Sequence, residues 1–202
     1  MKAKGTTSVL VALWLTGLSA AGAQVSQQGS AHAIPRFNYA NIAWGSSAEK
    51  VKAAMASQGL RFVEKTEDGD LVFKGSLMNQ NVLAFAMIAH DSLLKIEIAF
   101  LTPDNEARAF YHQMIDVLKQ QYGEPHDVTE SFEPPYHDGD GHEQEAIQQG
   151  KALFLTGWGT NVEKTETMWV TISEYLTVVL AYETPGFIAE SKLRKKRKSR
   201  GL

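Results

Sequence analysis

The chain has 202 residues, with 20 Lys and Arg against 23 Asp and Glu, 44% hydrophobic residues and no cysteine. This is a globular composition, and it excludes a collagen-like, mucin-like or wholly disordered chain. The missing cysteine excludes a disulfide framework, a thiolate zinc site, a cysteine nucleophile, iron–sulfur ligation and a lipid-modified N-terminal cysteine.

The first segment reads as an address. Lys2 and Lys4 make a basic start, residues 9–18 (VLVALWLTGL) form an apolar run too short to span a bilayer, and Ala21-Gly22-Ala23 is a small-x-small cleavage triplet. Residues 1–23 are thus predicted to be a secretory signal, with Gln24 the first mature residue. The expected protein is exported, periplasmic or secreted, with no transmembrane segment. Without the signal the charge is uneven. From Gln24 to Ala189 there are 11 basic and 22 acidic residues, whereas Lys192, Arg194, Lys195, Lys196, Arg197, Lys198 and Arg200 follow with no acid among them.

Residues 24–36, rich in Gln, Ser, Ala and Gly, read as a flexible leader. Residues 37–44 (FNYANIAW) alternate weakly, the pattern of a short strand. Ser46 and Glu49 have the spacing of a capping box, Val51 and Met55 share a helical face, and Gly59 stands where a left-handed residue ends a helix. A helix over 47–58 follows. Residues 61–66 and 70–77 are predicted strands joined by a turn containing Asp68-Gly69. Residues 82–89 (VLAFAMIA) are apolar on both faces and read as a central strand. Residues 94–100 alternate, with Leu94, Ile96, Ile98 and Phe100 facing a core. Thr102 as N-cap and Pro103 at the first position open a second helix. Its stripe comprises Ala107, Phe110, Tyr111, Met114, Val117, Leu118 and Tyr122, and it ends at Gly123. Residues 125–150 read as a long acidic loop, with strand composition only at 128–132. Strands at 151–158, 167–173 and 176–183 complete the body, with a tight turn at Glu174-Tyr175.

The expected fold is a two-layer α+β domain over 37–187: an antiparallel sheet of about seven to eight strands with two amphipathic helices on one face. Each helix ends in glycine and leads into antiparallel strands, which suggests two α-β repeats. Residues 188–202 read as a basic disordered tail.

Two strings carry a family resemblance: Trp44-Gly45-Ser46-Ser47-Ala48-Glu49-Lys50-Val51 opening one helix, and Tyr122-Gly123-Glu124-Pro125 closing the other. They resemble a class of small exported bacterial proteins. The helix-then-meander plan is similar to that of β-lactamase inhibitory proteins and of the small lipoprotein of the outer-membrane β-barrel assembly machinery. The resemblance implies a protein-binding role without catalysis. It carries over no functional residue, and this chain lacks the lipidation cysteine.

Three constellations bear on function. The acidic loop holds His137, Asp138, Asp140 and His142, ligand types suited to zinc, manganese or calcium, at a spacing that matches no established site. The basic tail suits an anionic lipid or lipopolysaccharide surface; export argues against a nucleic-acid partner. Trp169, Tyr175 and Tyr182, expected on the open face of the sheet, suit a protein partner, since aromatic residues dominate binding hot spots. Nucleophile-elbow, Walker and dinucleotide-binding patterns are absent from the sequence, and His90 and His112 have no fixed partners. The leading expectation is a non-catalytic module, needing no cofactor, that binds another envelope protein. A polyanion-binding tail is the first alternative and a metal-binding loop the second.

Overall fold

The computed structural model describes residues 37–159 and 165–199. The predicted signal and the leader lie outside the described residues. Eight strands form one antiparallel sheet: β1 (Arg61–Lys65), β2 (Leu71–Leu77), β3 (Gln80–Ala89), β4 (Ser92–Leu101), β5 (Asp127–Phe132), β6 (Ala152–Trp158), β7 (Thr167–Ile172) and β8 (Val178–Glu183). Their order is β1-β2-β3-β4-β8-β7-β6-β5. Helix α1 (Ala48–Ser57) precedes the first four-strand meander and α2 (Ala107–Tyr122) precedes the second. Helix-plus-meander thus occurs twice, and the two meanders meet at their last strands, β4 and β8. The reversed strand order of the second unit is what a two-fold axis between β4 and β8 produces. The expected α+β fold is the observed one.

Register explains where the core lies. One row runs Phe73, Ala84, Ile98, Leu180, Val170 and Thr156 across six strands, and all six are at most 5% exposed. Both helices pack on this side. From α2, Tyr111 meets Phe154 edge-on, and its hydroxyl shares a 2.7 Å hydrogen bond with Thr156. Burial pushes the Tyr111 phenol up to about 12. From α1, Val51 and Met55 are fully buried. Gly59 takes a φ of 78°, and the Leu60 N–H closes back on the Met55 carbonyl at 3.0 Å, as the predicted helix stop requires.

Gly75 on β2 passes directly under that stop. A Cβ there would lie 2.8 Å from the Gly59 carbonyl oxygen and 2.8 Å from Leu60 Cδ2. Gly75→Ala is therefore expected to cost about 2 kcal/mol through overpacking, read as a lower midpoint in urea unfolding with an unchanged slope.

Several local expectations are corrected. Residues 37–44 form no strand; Tyr39–Asn41 is a 3-10 turn. The N-cap of α1 is Ser47, not Ser46. Its hydroxyl accepts from the Lys50 N–H at 3.5 Å, while Asp91 in the β3–β4 turn accepts from the Ala48 N–H at 3.0 Å. Glu49 pairs with Lys52 instead of closing a box. Thr102 does not cap α2. Its hydroxyl donates to the Leu176 carbonyl at 3.3 Å, and a 3-10 turn at Asp104–Glu106 leads into the helix. Within α2 it is Ile115 that is buried, while Val117 is 41% exposed. The register slips between Met87 and Ile88, so Leu93 enters the core and Leu94 does not.

The expected loop over 125–150 contains strand β5 and a short helix α3 (Glu143–Gln148), seated by buried Ala146 and Ile147. The largest correction concerns the tail, which is not disordered across the described residues. Pro185–Ser199 forms helix α4. A run of like charge stays disordered when nothing opposes it, but here acids of the body do. Arg194 donates to Asp70 at 2.7 Å, to Glu190 at 3.1 Å and to the Ile88 carbonyl at 3.0 Å. Lys198 reaches Asp68 at 2.8 Å. Asp68 and Asp70 belong to the β1–β2 hairpin and Glu190 to α4 itself; none of these acids is in the 125–150 loop. No helix among the described residues is long and apolar enough to cross a membrane.

Candidate functional site

The second face of the sheet carries a different row: Val72, Phe85, Glu97, Ala181, Trp169 and Gly157. Beside it, Leu83 opposes Ala99, Ala99 opposes Val179, and Thr171 opposes both Val179 and Leu155. Helices α1 and α2 lie on the other side. Leu83, Phe85, Leu155 and Trp169 are only half-buried, and Leu101 and Leu153 are 42% and 47% exposed. The reason is local. Strand β3 alternates two apolar sets: α1 and α2 cover the Val82, Ala84 and Ala86 set, whereas α4 reaches the other only at its Met87 end. Near β6 and β7 this face forms a shallow depression of about 380 Å³, with Leu155, Trp169 and Thr171 in its lining.

At the β4–β8 seam the open face holds a charged cluster. The Lys95 ammonium lies 2.8 Å from Glu97 and 2.9 Å from Glu183, its directly opposed partner on β8. The rings of Trp169 and Phe187 approach it at 4.9 Å and 4.7 Å. Lys95 is 6% exposed. Phe187 belongs to the first turn of α4, which therefore closes this end of the open face. The cluster ties the two units and the helix together, and one negative charge is left over. Beyond it the apolar floor is bordered by further charge at its margins, Arg61, Glu64 and Lys74 on β1 and β2 and Asp127 on β5.

The three residues expected on the open face are not brought together. Trp169 lies on it. Tyr182 does not, because β8 pairs Tyr182 with Met168 and places it on the helix side, 4% exposed, against Tyr39 with centroids 6.2 Å apart. Burial raises its phenol. Tyr175 sits in the β7–β8 turn, 78% exposed. Phe85, Leu83 and Leu155 take their place. The signal for Phe85 and Leu83 lies in the two-sided apolarity of residues 82–89, and Leu155 on β6 joins them through the sheet register. Of the other tryptophans, Trp158 is buried and donates to the Gly123 carbonyl at 2.8 Å, and Trp44 donates to the Phe37 carbonyl at 3.2 Å.

The candidate metal ligands serve the loop itself. Asp140 accepts from the His137 N–H at 2.9 Å and from the His142 N–H at 2.7 Å. Asp138 pairs with Arg108 at 2.6 Å, and the His142 ring meets Glu145 at 3.4 Å. Among the described residues no three His, Asp or Glu side chains converge on a metal position. The two backbone N–H groups hold the Asp140 carboxyl below the usual carboxylate range. Its folded value being depressed, its contribution is complete above the ordinary carboxylate range and is lost as pH falls through the lowered value. The 137–142 turn is therefore expected to loosen in acid before the sheet unfolds, seen as faster amide exchange at His137 and His142. Asp140→Asn should loosen it already at neutral pH.

The seven tail cations also separate. Arg194 is turned inward, Arg197 meets Glu190 at 2.7 Å and Lys198 meets Asp68. Lys192, Lys195 and Lys196 are exposed with no ion pair among the described residues, and Arg200 lies outside the described residues. His112 pairs with Glu130 at 3.0 Å on the surface of α2, and His90 lies exposed in the β3–β4 turn. No family model matches the chain, and neither a curated protein nor a solved structure matches it.

Proposed function

We propose that this chain is a non-catalytic binding module whose open sheet face takes an apolar surface of another envelope protein. The observation that carries the reading is strand β3, apolar on both faces, covered by α1 and α2 on one and reached by α4 on the other only at its Met87 end. Contiguous apolar surface left bare on a soluble fold marks an interaction site. Trp169 and Phe85 are the aromatic anchors, with Glu97 and Ala181 between them in the row, and Leu83 beside Phe85 and Leu155 on neighbouring β6 extend the floor. The Lys95 charge is already met by Glu97 and Glu183, so a partner finds no free cation there and its main contact is with the apolar side chains. The resemblance to exported binding proteins supports the same role, and the reading of residues 1–23 as a secretory signal supports an envelope partner.

A photo-crosslinking residue placed at Phe85 or Trp169 in the living cell tests this. Both positions are expected to trap the same protein species. The same residue at Gln113, exposed on the outer side of α2, should not trap it. Equal trapping from all three positions, or a different species at each, would remove the open face as the docking surface.

A further inference from the structure

Helix α4 has a second side. Phe187 and Arg194, seven residues apart, point inward to Lys95 and to the acids of the β1–β2 hairpin. At 100° per residue the opposite side presents Lys192 and Lys196, one turn apart, flanked by Lys195 and Leu193. All four are exposed, Leu193 at 56%, and no acid follows Glu190 in the sequence.

We propose that this stripe docks the protein on an anionic phospholipid bilayer, its lysines on the headgroup phosphates and Leu193 at the acyl boundary. Three features point to this occupant. Among the described residues the lysines have no counterion, so binding there breaks no ion pair. Leu193 is exposed apolar surface beside them, which a lipid interface covers and a soluble polyanion would leave unused. The rest of the chain from Gln24 to Ala189 has twice as many acids as bases, so an anionic surface repels the body and admits the α4 side alone. The inner anchors hold the helix in place before contact, which lowers the ordering cost of binding. The inference is independent of the open face.

The test is co-sedimentation of the full chain with vesicles of phosphatidylcholine carrying one-third phosphatidylglycerol, against vesicles of phosphatidylcholine alone. Neutral vesicles also read any contribution of the apolar run at 9–18. The expected result is binding to the anionic vesicles only, lost at high salt. Each lysine near a charged surface contributes about fivefold, so Lys192→Gln/Lys195→Gln/Lys196→Gln should weaken binding by about a hundredfold. Leu193→Gln should weaken it as well. These positions leave the Arg194 anchor in place, and an unchanged thermal midpoint verifies the fold. Equal binding to neutral vesicles, or unchanged binding by the triple variant, would overturn the proposal. So would retention on heparin without vesicle binding, which would assign the stripe to a soluble polyanion.

Discussion

Replacing Lys95 by alanine is expected to cost about 3 kcal/mol of stability. Its side chain is 8% exposed, that of Glu183 13% and that of Glu97 30%. Removing the ammonium leaves two carboxylates facing each other with nothing between them, and breaking a buried ion pair from one side typically costs about 3–5 kcal/mol. The exposure of Glu97 lets it turn to water, which places the effect at the low end. The rings of Trp169 and Phe187 lose their cation as well. The triple change Lys95→Met/Glu97→Gln/Glu183→Gln should recover most of the loss, because it removes the charges together. Urea unfolding reads both. A loss below about 1 kcal/mol for Lys95→Ala would show that the seam does not depend on this cluster.

Trp158→Ala is expected to cost about 4 kcal/mol, the range for emptying a large aromatic site in a core. The indole is 1% exposed. Its N–H donates to the Gly123 carbonyl where α2 ends, so the substitution opens a cavity and orphans a backbone acceptor at once. Trp158→Phe separates the two effects. It keeps most of the volume and should cost about half as much. The thermal midpoint under reversible conditions provides the comparison, and equal losses for the two variants would mean that the hydrogen bond, not the packing, dominates.

What the sequence reveals here is what depends on near neighbours. The stop of α1 at Gly59 and the β1–β2 hairpin are encoded within a few residues, and both were readable. The start of α2 departs from the local signal because the Thr102 hydroxyl bonds a carbonyl 74 residues away. Helix α4 is not legible in the sequence because the acid that fixes Arg194 lies 124 residues upstream, and a basic run gives no sign of where its counterions will stand. Helix α3 rests on just two buried residues, too few for a visible period.

The same limit applies to the candidate site. Aromatic character singled out Trp169 and Tyr182 equally, yet the β7–β8 register puts Trp169 opposite Ala181 and Tyr182 opposite Met168, on different faces. Register is a property of the pair of strands. The two-sided apolarity of β3 was legible, but which side stays bare is decided by where α1 and α2 land. The metal expectation rested on ligand types alone, and in the fold Asp140 spends both carboxylate oxygens on its own turn.

The claim that the bare sheet face is a protein-docking surface is tested most directly by affinity capture of the photo-crosslinked partner species with three proteins compared at high salt: wild type, Phe85→Asp/Trp169→Asp, and Lys192→Gln/Lys195→Gln/Lys196→Gln. Apolar docking through the open face predicts that wild type and the lysine variant retain that species equally, while the aspartate variant, shown by its far-UV spectrum to be folded, loses it. Retention by the aspartate variant, or loss of the species from the wild type as salt rises, would contradict the account.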